Sequence, residues 1–151
     1  MYFCQNLFVM KVLILCTGNS CRSQMAEAFV KFYYPEFEVY SAGTNPAKEI
    51  NPYAVRVMNE VGIDISKQYP KSVDNFINDE FDYVITCCDG AKENCPVFTG
   101  KVKNRVHIGF IDPAEAKGSE DEILDVFRTV RDEIKIQFKS FFDNLKVNKN
   151  K

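Results

Sequence analysis

The residues in this sequence that are best suited to chemistry lie together in one short segment, CTGNSCRS, from Cys16 to Ser23. Cys16 ends an apolar run, five residues follow, and Arg22 then begins a helical pattern. The Gly-Asn-Ser triplet between them allows successive backbone N–H groups to point inward and bind an anion. The helix N-terminus and the planar guanidinium of Arg22 add positive charge at the same place. The predicted oxyanion-binding residues are Thr17, Gly18, Asn19, Ser20, Cys21 and Arg22.

The same segment predicts a cysteine nucleophile aimed at a tetrahedral oxyanion. Its positive surroundings are expected to lower the pKa of the Cys16 thiol, so that a thiolate is present at neutral pH. The Ser23 hydroxyl is placed to donate a hydrogen bond to that thiolate. The alternative is a strand-to-helix turn with an incidental buried cysteine. The strand–loop–helix context and the small residues inside the loop favour the anion site.

The length and composition of the chain limit the classes of protein to which it can belong. The chain has 151 residues, 46% of them hydrophobic and 26% charged, which suits one globular domain. With 19 Lys and Arg against 21 Asp and Glu, there is no basic surplus for nucleic acid or an anionic membrane. The apolar run before Cys16 is interrupted by Lys11 and is too short to cross a bilayer. It also lacks the features of a signal peptide, so we expect a soluble cytoplasmic protein. We also expect a monomer.

Short β-rich runs alternate with helix-period segments, which predicts an α/β fold with a parallel sheet. The first run is almost continuously apolar, as a strand buried on both faces should be. A capping box at Ser119 and Glu122 predicts the start of the last helix. Apolar residues spaced three and four apart follow it and form a stripe along one face. The predicted strands are Lys11–Cys16, Glu38–Ser41, Phe81–Cys87 and Arg105–Phe110. The predicted helices are Arg22–Tyr33, residues 51–61, a short helix near 73–78, and the segment that follows Ser119.

These elements predict a single domain over residues 10–145. Residues 1–9 form an extra N-terminal segment to which, with its Cys4, we assign no function. Residues 146–151 are predicted to be a frayed tail.

The other cysteines suggest redox chemistry. Carboxyl ends of parallel strands share one edge of a sheet, so Cys88, just after the third strand, is expected near Cys16. A helix from Cys88 to Cys95 would separate the two residues by about 10.5 Å along its axis. A disulfide needs Cα atoms roughly 4.4–6.8 Å apart, so the segment must unwind to close the pair. Gly90 and Pro96 make it a weak helix, and the segment is therefore predicted to be a redox switch.

Zinc binding is the alternative role for these thiols. It would use the pairs Cys16/Cys21 and Cys88/Cys95, but neither has the C-x-x-C spacing of zinc sites. We therefore predict no metal ion and a structural role for Cys21. Strand alternation directs Cys87 away from Cys88, so Cys87 is expected to be a buried thiol, and a competing resolving role for it stays open.

The run CTGNSCRSQMAE resembles the loop of the low-molecular-weight protein tyrosine phosphatase fold, and specifically of its thioredoxin-coupled arsenate reductase branch. The similarity reaches from Met10 to about Leu145. It continues through Tyr40–Gly43, Gly62–Ser66, Cys88–Pro96, Gly109–Pro113 and Val130–Ile134.

The resemblance implies a single-domain, four-stranded parallel sheet flanked by helices on both faces. It also implies that Asp112 is the general acid, although the residues alone would read Asp112-Pro113 as an ordinary turn. It further implies that arsenate is reduced to arsenite through a relay from Cys16 to Cys88 to Cys95, for arsenic detoxification. Thioredoxin then restores the thiols, no cofactor is tightly bound, and phosphate or sulfate binds as an analogue. Cys87 departs from the family, which usually has an apolar residue at this position.

Two other functions remain open at this point. One is a phosphatase that uses Cys16, Arg22 and Asp112 alone, with weak phosphatase activity also conceivable beside arsenate reduction. Such phosphatases often carry aromatic residues after the Asp-Pro pair, whereas this chain has Ala-Glu-Ala. The other is a non-catalytic oxyanion or redox sensor, which the intact set of reactive residues disfavours. A glutaredoxin or mycothiol system is an alternative electron donor.

A cation site is a further implication of the resemblance, because some arsenate reductases of this family hold potassium beneath the loop. Asn19, Glu27 and Ser41 match residues of that site, and Lys71 falls where a further acidic residue is usual. We expect the Lys71 ammonium to replace the cation through Glu27, with Lys71 in solvent as the alternative.

Overall fold

The computed structural model describes residues 9–149, so the predictions for residues 1–8, including Cys4, and for residues 150–151 lie outside the described part of the chain. Four strands form one parallel sheet in the order β2-β1-β3-β4. They are β1 (Lys11–Cys16), β2 (Glu38–Gly43), β3 (Phe81–Thr86) and β4 (Val102–His107).

Helices connect the strands. They are α1 (Arg22–Tyr33), α2 (Pro52–Glu60), α3 (Asp89–Asn94) and α4 (Glu120–Lys149), with short 3-10 helices at Val73–Asn75 and Pro113–Glu115. Helix α1 connects β1 to β2, at one edge of the sheet. Helix α3 connects β3 to β4, at the other edge, so the two connections run in opposite directions across the sheet. Because such crossovers are right-handed, α1 and α3 lie on opposite faces. The doubly wound α/β prediction is thereby confirmed.

The strand order reverses between β1 and β3, and this reversal positions the reactive residues. Leu15 of β1 pairs with Thr86 of β3, so the loop after Cys16 begins beside the chain that continues to Cys88. Ligands of open α/β sheets bind at the carboxyl ends of the strands, at such a switch point.

The core lies between the sheet and α1, α2 and α4. Eight consecutive residues of α1, from Ser23 to Val30, are buried, which fixes the first turn of that helix within the protein. The predicted stripe of α4 packs inward: Phe127, Val130, Ile134 and Phe138 are almost fully buried. Burial of each such side chain contributes roughly 1.5–3 kcal/mol of hydrophobic stabilisation.

Strand β2 ends two residues later than predicted, β3 ends one residue earlier, and α2 is shorter than predicted by one residue at each end. Three further elements differ more. Strand β4 begins at Val102 and ends at His107, three residues earlier than predicted, because its mostly exposed residues at the sheet edge gave little apolar signal. The short helix near Val73 is a single 3-10 turn. Helix α4 continues through Lys149, so residues 146–149 are helical rather than a frayed tail.

No helix in the described residues has the length and apolar character needed to cross a membrane.

Candidate active site

The loop between β1 and α1 forms the anion site. Asn19 adopts the left-handed backbone conformation, with φ of 53°, and its N–H donates to the Cys16 Sγ at 3.2 Å. The Ser23 Oγ lies 2.8 Å from the same sulfur, as the sequence predicted. The cavity in front of the sulfur has a volume of about 160 Å³. Its lining consists of Cys16, Thr17, Gly18, Ser20, Cys21, Arg22, Asp112 and Ala114.

Asn19 organises this loop from below. Its side-chain amide donates to Ser23 Oγ at 2.7 Å and to Ser41 Oγ at 3.0 Å. Its side-chain oxygen accepts from the Lys71 backbone N–H at 2.9 Å and from the Gln24 amide at 3.0 Å. Because Ser23 accepts from Asn19, its own proton is free to be donated to Cys16.

The protonation of Cys16 differs from the sequence expectation. Burial raises the pKa of the Cys16 thiol, while hydrogen bonds from Ser23 and from the Asn19 N–H and the charge of Arg22 lower it. Burial has the larger effect, because the sulfur is almost entirely removed from water. Sequence reasoning counted the positive groups around the sulfur but not the cost of burying its charge. The contacts around Cys16 therefore offset a desolvation cost.

Arg22 and Asp112 face each other over the cavity. The Arg22 Nη2 lies 3.6 Å from the Asp112 Oδ2, and the Arg22 Nη1 donates to the Phe110 carbonyl at 3.1 Å. Asp112 also caps the 3-10 helix that follows it, since its Oδ1 accepts from the Ala114 N–H at 3.0 Å. The loop after β4 thus holds a carboxyl group against the cation that would clamp an oxyanion.

Cys88 lies at the rim of the anion loop. Its Sγ is 3.3 Å from the Thr17 Oγ1, on the residue immediately after Cys16. Cys88 is also the N-cap of α3, where its sulfur accepts from the Ala91 N–H at 3.4 Å. The two predicted reaction partners are therefore brought to the same edge of the sheet, with Thr17 between them.

Gly90 permits this close approach. A Cβ atom at Gly90 would lie 2.7 Å from the Thr17 Oγ1, which is closer than real Cβ contacts. Together, Thr17, Cys88, Gly90 and Asp112 help to line a second, open cavity of about 780 Å³ that continues from the anion site. Sequence reasoning used Gly90 only as a weak helix residue, and only the three-dimensional contact reveals this second role.

Cys95 lies at the opposite end of α3, as its C-cap, and is half-buried. It is a free thiol, as are Cys16, Cys21, Cys87 and Cys88. Cys87 is fully buried, in agreement with the sequence, and burial holds the pKa of its thiol well above the ordinary value. Burial likewise raises the pKa of Cys21 to about 12. Helix α3 separates Cys88 from Cys95, and a redox switch between them stays a prediction.

At the candidate cation site, two lysines lie close enough to Glu27 to act on it: Lys31 contacts it directly, and the charge of Glu27 raises the pKa of Lys71, although burial lowers that pKa more. Glu27 accepts from the Ser41 hydroxyl at 2.5 Å, and its other oxygen lies 2.5 Å from the Lys31 Nζ. The Lys71 Nζ instead donates to the Tyr69 carbonyl at 2.9 Å. Lys31, one helical turn after Glu27, was missed, although a Glu–Lys pair four residues apart is a recognisable helix signal. The carboxylate beneath the loop therefore already has a cation from α1.

Within residues 9–149, no cluster of three or more His, Cys, Asp or Glu side chains is arranged to hold a metal ion. The pairs Cys16/Cys21 and Cys88/Cys95 are therefore not brought together as a ligand set in this structure. Gln24 was another residue that sequence reasoning missed. It is fully buried, and its amide donates to the Asn19 backbone and side-chain oxygens and to the Tyr69 carbonyl.

The fold and this arrangement define a class of protein: a cysteine-dependent oxyanion enzyme on a doubly wound sheet, with a further thiol at the site. The sequence model described as low molecular weight phosphotyrosine protein phosphatase matches residues 11–151. The chain belongs to this family.

Within the family, the chain is similar to arsenate reductases. The arsenate reductases of Halalkalibacterium halodurans and Bacillus subtilis are each 50% identical over 131 residues, covering 86% of this chain and 93% of the relative. A solved arsenate reductase in the phosphate-binding state is 36% identical with a TM-score of 0.73, covering 89% of this chain and 97% of that one. These similarities confirm the resemblance that the sequence motifs indicated.

Two further solved structures sharpen the comparison. A thioredoxin-dependent arsenate reductase from Corynebacterium glutamicum is 31% identical with a TM-score of 0.59, over 87% of this chain and 61% of that one. A tyrosine phosphatase from Erwinia amylovora is 19% identical with a TM-score of 0.75, over 90% of this chain and 93% of that one. The phosphatase shares the fold, which confirms the predicted architecture.

Proposed function

We propose that this chain reduces arsenate to arsenite by a relay of Cys16, Cys88 and Cys95, and that thioredoxin restores the thiols. The observation that carries the proposal is the position of Cys88, which contacts the anion loop through Thr17 at 3.3 Å. A hydrolase of this fold needs only the thiol in the loop. A second thiol at the rim, with a third at the far end of a short helix, suits electron transfer to the bound anion.

The first step forms a bond between sulfur and arsenic. The Cys16 thiolate attacks arsenate held by the loop N–H groups and Arg22, and one oxygen leaves. Asp112, which lines the cavity in front of the sulfur, supplies the proton that lets this oxygen depart as water. The product is a covalent Cys16–arsenic(V) adduct.

The second step reduces arsenic. The Cys88 thiolate attacks the Cys16 Sγ, so that a Cys16–Cys88 disulfide forms and the sulfur–arsenic bond breaks. The bonding electron pair stays on arsenic, which becomes arsenic(III) and leaves as arsenite. Phosphate is a near-isostere that would bind in the same loop, but phosphorus(V) does not accept the electron pair.

The third step moves the disulfide away from the anion site. Cys95 attacks Cys88, which frees Cys16 and leaves a Cys88–Cys95 disulfide. Because α3 separates these two residues, the helix must unwind for this step. We infer that the unwound segment presents the disulfide to thioredoxin for thiol exchange. Because such a cycle needs a reducing compartment, we propose that the protein is cytoplasmic.

The test separates reduction from hydrolysis. In Cys88→Ser protein, we expect multiple-turnover arsenate reduction with thioredoxin to be lost, while hydrolysis of p-nitrophenyl phosphate by Cys16, Arg22 and Asp112 continues. The matched control is Cys87→Ala, which removes the adjacent buried thiol and should retain turnover. Retained reduction in Cys88→Ser, or its loss only in Cys87→Ala, would exclude Cys88 as the resolving thiol.

We also propose that the cation beneath the anion loop is a lysine ammonium rather than potassium. The 2.5 Å contact of the Lys31 Nζ with Glu27 supports this proposal. Lys71 supports the same loop in a different way, since its backbone N–H donates to the Asn19 side chain at 2.9 Å.

A further inference from the structure

A small cavity of about 190 Å³ lies at the C-terminal end of α3, where that helix faces β3 and β4. It shares no lining residue with the two cavities of the anion site. Its lining comprises Val84, Thr86, Lys92, Cys95, Arg105, Val106 and His107. The half-buried Cys95 thiol therefore has an environment of its own.

This environment is basic. Lys92 from α3 and Arg105 and His107 from β4 line the cavity together with Cys95, and no carboxylate is among the described lining residues. The nearest acidic group to His107 is Asp89, whose Oδ1 lies 3.3 Å from the His107 Nε2 outside this cavity. The other ring nitrogen of His107 is 2.7 Å from the Thr86 hydroxyl. These contacts direct His107 toward partners other than the thiol.

Arg105 is the basic residue that acts on Cys95. The pKa of the Cys95 thiol is raised above its ordinary value, because burial raises it more than the charge of Arg105 and a hydrogen bond from Arg105 lower it. The Arg105 guanidinium carbon lies 5.5 Å from the centre of the Phe98 ring, and Phe98 is buried three residues after Cys95. Stacking on an aromatic face orients the planar guanidinium beside the sulfur.

We propose that Arg105 assists Cys95 in the second sulfur exchange by offsetting part of the cost of burying its thiolate in the cavity at the end of α3. This proposal rests on the proposed relay. The Cys95 proton is lost to solvent, and the thiolate attacks the Cys88 sulfur of the Cys16–Cys88 disulfide. The Cys88–Cys95 bond forms, the Cys16–Cys88 bond breaks, and its electron pair leaves on Cys16 as a thiolate. The disulfide is transferred, so no further oxidant or reductant is needed.

The expected effect has a defined size. For each pKa unit by which the Cys95 thiol rises when Arg105 is removed, the thiolate fraction below that pKa falls about tenfold. A more basic thiolate is also more nucleophilic, which recovers about threefold. The exchange should therefore slow about threefold per unit at neutral pH, and the deficit should disappear at alkaline pH.

The direct test measures Cys95 without arsenate. In a Cys16→Ser, Cys88→Ser background, the rate at which iodoacetamide modifies Cys95 is followed against pH by peptide mass spectrometry. We expect Arg105→Gln to move the midpoint to higher pH and Arg105→Lys to move it back toward the parent. The control Lys103→Gln removes a positive charge from an exposed side chain of the same strand and should not move it. Coinciding profiles for Arg105→Gln and the parent would overturn the proposal.

A second measurement follows the relay itself. Reduced protein with all its cysteines is mixed with arsenate in the absence of thioredoxin, and Cys88–Cys95 bridge formation is compared with arsenite release. We expect the ratio of the two rates to fall in Arg105→Gln and to recover with rising pH. A ratio equal to the parent's would contradict assistance by Arg105. Absence of arsenite release in the parent would contradict the proposed function instead, and the alkylation result would still decide the role of Arg105.

Discussion

The anion loop and helix α3 lie side by side, but the loop is held by many contacts and the helix by few. The loop is followed by α1, which is buried over eight consecutive residues, and its Asn19 is tied to four surrounding groups. Helix α3 has six residues, of which only Ala91 is buried. A helix this short has little stability of its own. The rigid anion loop suits a reaction that needs fixed geometry. The less stable helix α3 suits a thiol that must move toward a second cysteine.

The two regions also differ in which groups stabilise the thiolate of their cysteine. Cys16 is held by groups that offset the cost of burying a thiolate, and these groups belong to the loop and the first turn of α1. Cys95 takes its basic partner from β4, a strand outside its own helix. The first arrangement is local in sequence and the second depends on tertiary contact. Changes in the two regions should therefore affect different steps.

Among changes that leave every cysteine in place, the largest effect is expected from Ser23→Ala in the rigid region. It removes the hydroxyl 2.8 Å from the Cys16 sulfur, and the pKa of that thiol should rise further, because Ser23 lowers it. Hydrogen bonds to charged groups contribute about 1.5–3 kcal/mol, so we expect kcat/KM at neutral pH to fall roughly tenfold or more. The thiolate form is lost first at low pH, so the pH profile for both arsenate and p-nitrophenyl phosphate should shift to higher pH. An unshifted profile would show that Ser23 does not act on the sulfur.

A smaller and more selective effect is expected from Gly90→Ala at the start of α3. The new methyl group would meet the Thr17 hydroxyl and separate it from the Cys88 sulfur. We expect arsenate reduction to fall about tenfold, since a displacement near 1 Å is costly to a reacting pair, while phosphate ester hydrolysis is retained. Glu93→Ala, an exposed change on the same helix, is the control. Equal loss of both activities in Gly90→Ala would mean that the two regions are not independent.

A change remote from both regions should affect stability alone. Hydrogen bonds from Arg128 and Arg131 of α4 lower the pKa of Glu60, at the end of α2, to about 2. The stabilisation is present above the ordinary pKa of the carboxyl group and is lost as pH falls through about 2. We expect Glu60→Gln to lower the Tm slightly at neutral pH, with the difference from the parent shrinking toward pH 2. Both activities should persist, and loss of either would show that the α2–α4 contact supports the site.

The smallest effect on activity is expected from a change of the monovalent cation in the buffer. Because Lys31 already contacts Glu27, exchanging sodium for potassium at constant ionic strength should change kcat/KM for arsenate less than about twofold. Lys31→Gln should lower activity, and potassium should restore part of it. Lys48→Gln, in an exposed loop, serves as the control. A strong potassium requirement in the unmodified protein would contradict the ammonium proposal.

The part of the site that sequence could predict is the part that is local. Cys16, Ser23 and Arg22 follow each other around one strand–loop–helix turn, so their types and spacing already define the anion loop. The contact of Cys88 with this loop followed from the rule that parallel strands end at one edge. The pairing of Arg105 with Cys95 depends on the register of β4, which begins three residues before the predicted start. A short sequence motif predicts neither the register of β4 nor the cost of burying the Cys16 thiolate.

The N-cap of α3 links the stability of this helix to the proposed chemistry of Cys88. The Cys88 sulfur accepts a hydrogen bond from the Ala91 N–H at 3.4 Å, so the atom that we propose to attack Cys16 also caps the first turn of the helix. In the proposed relay, bonding to Cys16 moves the Cys88 sulfur toward the anion loop, and we expect its contact with the Ala91 N–H to weaken as a result. The first exchange would then loosen the segment that must unwind for the second.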